Sequence, residues 1–278
     1  METKSLRRGS HRLLVRFSLL IVSLTSFVVT IATTRADAAA ELASFSVFDK
    51  VDLAQLAQGD AKTAHGPPSS GRYLSVQSCY VTKRTPAQEM AAMRNWNPGQ
   101  HSELHVYLHN DLGGAPGPAS FARLRSAPDT GPVRALSDAT QKMSTDLQVS
   151  ADEAKQPPAG SGGGAMPTGV ATYWANLLSA RAQAFLSGGS SSQRPYDHTG
   201  KAIRPGEELN GMLRQQEKIR HQFSGFLEST GIGRGGGGLR PDLYWELLEV
   251  EDQGVLTLGA AYNRAASGGA MQAADTLY

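Results

Sequence analysis

Residues 243–262 read LYWELLEV-EDQG-VLTLGAAY, and this stretch decides the fold class. Leu243–Val250 and Val255–Tyr262 are rich in aromatic and branched residues, and Glu251-Asp252-Gln253-Gly254 between them supplies turn chemistry. Two β-like runs around a short polar, glycine-ended break predict an antiparallel hairpin. A third strand is expected from about Ala274, and Thr276-Leu277-Tyr278 ends the sequence in β-like residues. An open edge of that kind is usually protected, so the sequence is also read as a C-terminally truncated product.

Outward from the hairpin, the chain becomes helical. Val133, Leu136, Met143 and Leu147 share one helical face, and Val170, Tyr173, Trp174, Leu177 and Phe185 share another. The longest helix is expected from Pro205, through Leu209, Met212, Leu213, Ile219, Phe223 and Phe226, with Gly231 as its C′ residue. Two glycine-rich tracts, Gln156–Gly164 and Gly231–Gly238, interrupt this region and cannot bury enough apolar surface to offset their entropy. The expected organisation is a signal peptide over 1–38, an α/β part over 39–156, a Gly/Pro linker over 157–164, a helical segment over 165–230, a glycine-rich loop over 231–238 and a hairpin region over 239–278. The fold class is therefore α+β, an antiparallel sheet packed with helices around a large, glycine-broken helical middle.

At the other end, Lys4, Arg7, Arg8, Arg12 and Arg16 precede an uncharged run from Phe17 to Ala32, then Ala36-Asp37-Ala38. A basic region, an apolar core and an A-x-A site make up a secretory signal, with cleavage expected after Ala38. The run stops short of the ~20 apolar residues of a spanning helix, so no membrane span is expected in the mature chain. Arg7-Arg8 leaves a twin-arginine route open beside the general secretory one. The whole chain has 27 basic and 25 acidic residues; removing the six basic and two acidic residues of 1–38 leaves 21 and 23. Such a near-neutral chain has no field to hold a nucleic acid. The single cysteine, Cys79, excludes an intramolecular disulfide, and no N-x-S/T sequon occurs. The expected location is secreted or periplasmic.

Candidate chemistry concentrates in His101-Ser-Glu-Leu-His-Val-Tyr-Leu-His109. Read as a strand, Leu104, Val106 and Leu108 point inward, and His101, Glu103, His105, Tyr107 and His109 point the other way. Histidines four apart on a strand lie about 13 Å apart and cannot share a metal, whereas on a helix they could. The candidate metal ligands are His101, Glu103 and His105, weighed against a half-exposed strand whose wet face is rich in histidine. Gly231-Ile-Gly-Arg-Gly-Gly236 matches G-x-G-x-x-G, but a helix precedes it and a strand follows, the reverse of the dinucleotide fingerprint. Cys79 reads as a small buried filler rather than a nucleophile. Glu246, Glu249 and Glu251 alternate with apolar residues, as on a solvent face. No catalytic residue and no cofactor is assigned.

Tyr73–Thr82 (YLSVQSCYVT) reads as a strand, and Thr85-Pro86-Ala87-Gln88 opens a helix that carries Met90, Met93 and Trp96. With the following Ser102–His109 run, residues 72–109 resemble the opening of the START-like, or helix-grip, superfamily. The resemblance implies a hydrophobic ligand enclosed between sheet and helix, and it carries over no catalytic residue. Two departures accompany it: over 100 helical residues separate the strands, and the closing C-terminal helix is missing. The expected function is non-enzymatic binding of an apolar small molecule or an envelope partner. The alternatives are a periplasmic hydrolase or metal-dependent enzyme built on His101, Glu103 and His105, and a structural or envelope-interaction protein.

Overall fold

A computed structural model describes residues 38–66, 75–159, 163–232 and 237–278. The expected signal peptide lies outside the described residues except for Ala38, and so do parts of both glycine-rich tracts. The chain divides into two compact units, Met1–Thr82 and Lys83–Tyr278.

In the first unit, residues 38–45 are helical (α1) and Leu53–Leu56 forms a single turn (α2). The Asp52 carboxylate caps α2, accepting from Ala54 N at 2.8 Å and Gln55 N at 3.1 Å. Strand β1 (Ala61–His65) pairs antiparallel with β2 (Val76–Tyr80), Ala61 opposite Tyr80 and His65 opposite Val76. The expected strand around Cys79 is present, in a two-stranded sheet separate from all later strands.

The second unit opens on α3 (Pro86–Arg94). Thr85 forms the expected capping box, its side chain accepting from Gln88 N while Gln88 Oε1 accepts from Thr85 N at 2.9 Å. A four-stranded antiparallel sheet follows in the order β3 (Val106–Leu112), β4 (Asp242–Val250), β5 (Gln253–Ala265), β6 (Met271–Leu277). The hairpin expected at 243–262 is β4–β5, turned by Glu251 and Asp252 alone, both at positive φ (50° and 63°). That two-residue turn matches the right-handed twist of its strands. The β6 strand begins at Met271, three residues earlier than expected.

One face of this sheet carries the core. Leu108 and Leu112 of β3, Leu243, Trp245 and Leu247 of β4, and Leu258, Ala260 and Tyr262 of β5 are all buried. Against them lie α4 (Gly131–Lys142) and the 3₁₀ segment Pro118–Ser126, whose Phe121 sits 5.7 Å from Trp245, ring to ring. The long helix α6 (Thr168–Gly188) packs on that segment and on α4 in turn. Trp174 Nε1 donates to Thr140 Oγ1 at 2.9 Å, and Gln183 Nε2 to the Pro116 carbonyl at 2.8 Å. Val170, Tyr173, Trp174, Leu177 and Phe185 are buried together as their spacing predicts. The fold is α+β. Among the described residues, no helix is long and apolar enough to cross a membrane.

Four expectations are corrected. The His101–His109 run is not one strand: Pro98–Gln100 and Ser102–Leu104 are 3₁₀ turns, and pairing starts only at Val106. Asn97 accepts from Gly99 N at 2.9 Å and Pro98 presets the turn, so local i→i+3 bonds use the donors a ladder would need. Leu104 is consequently 41% exposed rather than buried. The α4 helix ends at Lys142, with Met143 in the left-handed conformation at φ 46°, so Leu147 reaches the core from an irregular segment.

The helix from Pro205 is broken at Gln216 and Phe223 into α7 (Pro205–Gln215), α8 (Glu217–Gln222) and α9 (Ser224–Thr230). The polar run Arg214–Lys218 offers no apolar face, and no residue of α7 or α8 is buried, so packing does not enforce continuity. Gly231 ends α9 at φ 66°, as expected. Finally, Glu246 is not on a wet face: it is 7% exposed. Its cross-strand partner His109 lies over it, Nδ1 to Oε1 at 3.0 Å.

Candidate functional site

The histidine-rich run breaks into three separate contacts. His101 Nδ1 lies 3.2 Å from Glu103 Oε1, both side chains well exposed, with the Trp96 ring 5.0 Å from His101. His105, at φ 51°, turns its Nδ1 to within 3.6 Å of Glu249 Oε2, and the Tyr107 hydroxyl donates to the same carboxylate. Tyr107, and after it His105, hold the Glu249 carboxyl below its ordinary value against the opposing effect of burial. His109 is bracketed by Glu246 at Nδ1 (3.0 Å) and Asp111 at Nε2 (3.6 Å). The candidates His101, Glu103 and His105 are thus divided between two contacts. Among the described residues, no group of three His, Cys, Asp or Glu side chains could hold a metal ion.

His109 is not arranged as a catalytic relay. A base needs one ring nitrogen facing the substrate and the other oriented by an acid, whereas both nitrogens of His109 face carboxylates. Beyond Glu246 the row continues to Thr257 on β5, which places the acid in the middle rather than the imidazole. Nearby, Tyr244 donates to Asp275 Oδ2 at 2.6 Å, and burial followed by that hydrogen bond raises its phenol above the ordinary value. Cys79 is half-buried opposite Lys62, and the histidine of its hairpin, His65, stands opposite Val76 three residues away. Three residues of strand are about 10 Å, so that pair makes no thiol–imidazole contact.

The concave site lies on α6, on the side turned from the sheet. Thr168, Thr172, Asn176 and Ala180 recur every four residues along α6 and are exposed, while the residues between them are buried except the half-buried Gly169. They form one wall of a cleft of about 910 Å³. Tyr173 and Leu177 line its floor, and Gln156, Pro157, Pro158 and Ala159 form the facing wall. Asp152 and Arg194 complete the rim.

A buried ion pair fixes this geometry. Arg181 reaches from α6 to Glu153 on the short helix α5 (Ala151–Ala154), Nε to Oε1 at 2.9 Å and Nη2 to Oε2 at 2.7 Å. The two side chains are only 10% and 12% exposed. Arg181 Nη2 also donates to the Gln148 carbonyl at 3.2 Å, and its guanidinium lies 5.3 Å from the Tyr196 ring. Burial alone would raise the Glu153 carboxyl, but Arg181 and then Ser150 outweigh it and hold the carboxyl below its ordinary value. The bidentate fork sets α5 and the Pro157–Ala159 wall at a fixed distance from α6.

Sequence reasoning assigned Pro157–Gly164 to a linker and so missed this cleft. The usable signals were an arginine inside an apolar helix, which demands a buried partner, and small or polar residues at four-residue spacing on that same helix. No protein-family model, curated protein or solved structure matches this chain.

Proposed function

We propose that this is an exported, non-catalytic binding protein that holds its ligand in the α5–α6 cleft. The observation that carries the reading is the cleft itself, about 910 Å³ with an apolar floor and a hydrogen-bonding ladder on one wall. Its size falls in the range of ligand sites, ~300–1,000 Å³, and its lining is more polar than the predominantly apolar one of most such sites. The Arg181–Glu153 fork supports it by preorganising both walls, which lowers the entropy lost on binding. In START-like proteins, which residues 72–109 resemble, the ligand lies between sheet and helix. Here Trp245, Phe121 and Leu124 occupy the space on the sheet side, so the proposed site is on the far side of α6.

The test uses 1-anilinonaphthalene-8-sulfonate, an apolar ring system bearing an anion, with Ala180→Trp to fill the cleft. Ala180 is exposed, so the substitution leaves the core intact, which near-UV circular dichroism checks. Saturable binding at one site, lost in the folded variant, is the expected result. Undiminished binding in that variant, or none in the wild type, overturns the reading.

A further inference from the structure

We infer that the cleft takes an extended peptide bearing a carboxylate, an inference that rests on the binding role proposed above. The first argument is spacing. Thr168, Thr172 and Asn176 stand four residues apart on α6, or about 6 Å per step at the rise of an α-helix. A β-extended chain repeats its outward-facing backbone groups every two residues, about 6.4–6.8 Å. Those three side chains, and that of Gln156 across the cleft, make no hydrogen bond among the described residues. An occupant that covers them must supply partners at that interval, since an alkyl chain would leave them desolvated and unpaired. A peptide backbone supplies both donors and acceptors, while Leu177, Pro157 and Pro158 offer apolar surface to its side chains.

The second argument is charge. Asp152 on the rim is held by Lys155 at 2.8 Å, with Arg194 only at 3.9 Å. The Arg194 side chain is 55% exposed and meets Asp152 only at that distance, and its guanidinium makes no hydrogen bond among the described residues, so its donors are open to a ligand. A guanidinium in that position matches a carboxylate. Aromatic content argues against a glycan: Tyr173 is the only ring lining the cleft among the described residues, and it is 9% exposed, so no open face is offered to a sugar.

The experiment passes three pools of random hexapeptides over the immobilised full-length mature chain and reads retention by mass spectrometry. One pool has free C-terminal carboxylates, one is amidated, and one is amidated with a central aspartate. A linear β-linked oligosaccharide of similar length is the control. The expected result is at least tenfold enrichment of carboxylate-bearing peptides over the plain amides. Arg194→Ala should abolish the preference, Arg194→Lys should retain part of it, and Ala180→Trp should remove peptide binding altogether. Enrichment in the free-acid pool alone assigns the anion to the chain end, and enrichment in the aspartate pool assigns it to a side chain. Equal retention of acids and amides, indifference to Arg194→Ala, or preference for the oligosaccharide overturns the inference. If the naphthalene probe binds and is blocked by Ala180→Trp while peptides are not retained, the peptide inference fails and the binding site stands. If the probe itself ignores Ala180→Trp, the site fails with it.

Discussion

At the scale of single residues, the Arg181–Glu153 fork is the interaction whose loss is felt most. Removing one partner strands the other in a site about nine-tenths buried, and breaking such a pair costs about 3–5 kcal/mol. Glu153→Gln should therefore lower the urea midpoint markedly, while Glu153→Leu combined with Arg181→Met should recover much of the loss. The pH dependence follows from the sign of the shift. Because the folded-state carboxyl lies below the ordinary value of 4.5, its contribution is complete above that pH and disappears as pH falls through the folded value. Wild type and Glu153→Gln should converge in acid, and a stability gap that stays constant down to pH 3 would contradict the assignment. A second residue-scale test concerns Gly259. A Cβ there would lie 2.1 Å from the Tyr244 ring, which rests on the glycine and points its hydroxyl at Asp275. Gly259→Ala should cost about 1–3 kcal/mol by overpacking, and should lower the Tyr244 phenol toward its ordinary value, readable by ultraviolet titration.

At the scale of elements, the β4–β5 hairpin was legible because its turn chemistry and its alternation agree. Its turn is nevertheless strained, since Glu251 and Asp252 both adopt the left-handed conformation that disfavours residues with a Cβ. Asp252→Gly should stabilise the protein by about 0.5–1 kcal/mol, seen as a rise in Tm; a fall in Tm would mean that the Asp252 side chain is needed. The α6 helix was equally legible, its apolar residues Val170, Tyr173, Trp174, Leu177 and Phe185 being buried as they are spaced. Three elements were not. The 3₁₀ turns before β3 were hidden because Val106 and Tyr107 carry strand propensity backward into residues that Pro98 had already committed to local bonds. The breaks at Gln216 and Phe223 depend on the absence of a packing surface, which no single-sequence periodicity records. The wall at Pro157–Ala159 acquires its meaning only through the contact of Glu153 with Arg181, 28 residues away.

At the scale of the whole molecule, the hydrophobic cluster built on Leu108, Trp174, Trp245 and Tyr262 draws every member from the second unit. A chain of residues 83–278 should fold by itself with a cooperative melt and the near-ultraviolet signature of buried tryptophan. The proposed export would decide where such a chain works. Lys4 through Arg16, the uncharged Phe17–Ala32 run and Ala36-Asp37-Ala38 follow the order that a signal peptidase requires. Cutting after Ala38 falls at the start of α1, leaving residues 39–45 to form the helix and sparing every other described element. It also inverts the charge, from +2 for the whole chain to about −2 by residue count. Expressed from its own start codon in a bacterial host, the protein should accumulate outside the cytoplasm with Ala39 as its first residue, give or take two. N-terminal sequencing of the periplasmic and medium fractions reads this directly, and the shift of the isoelectric point to the acidic side checks it independently. A chain recovered from the cytosol with Met1 still in place would remove the export assignment, and with it any extracytoplasmic source for the ligand.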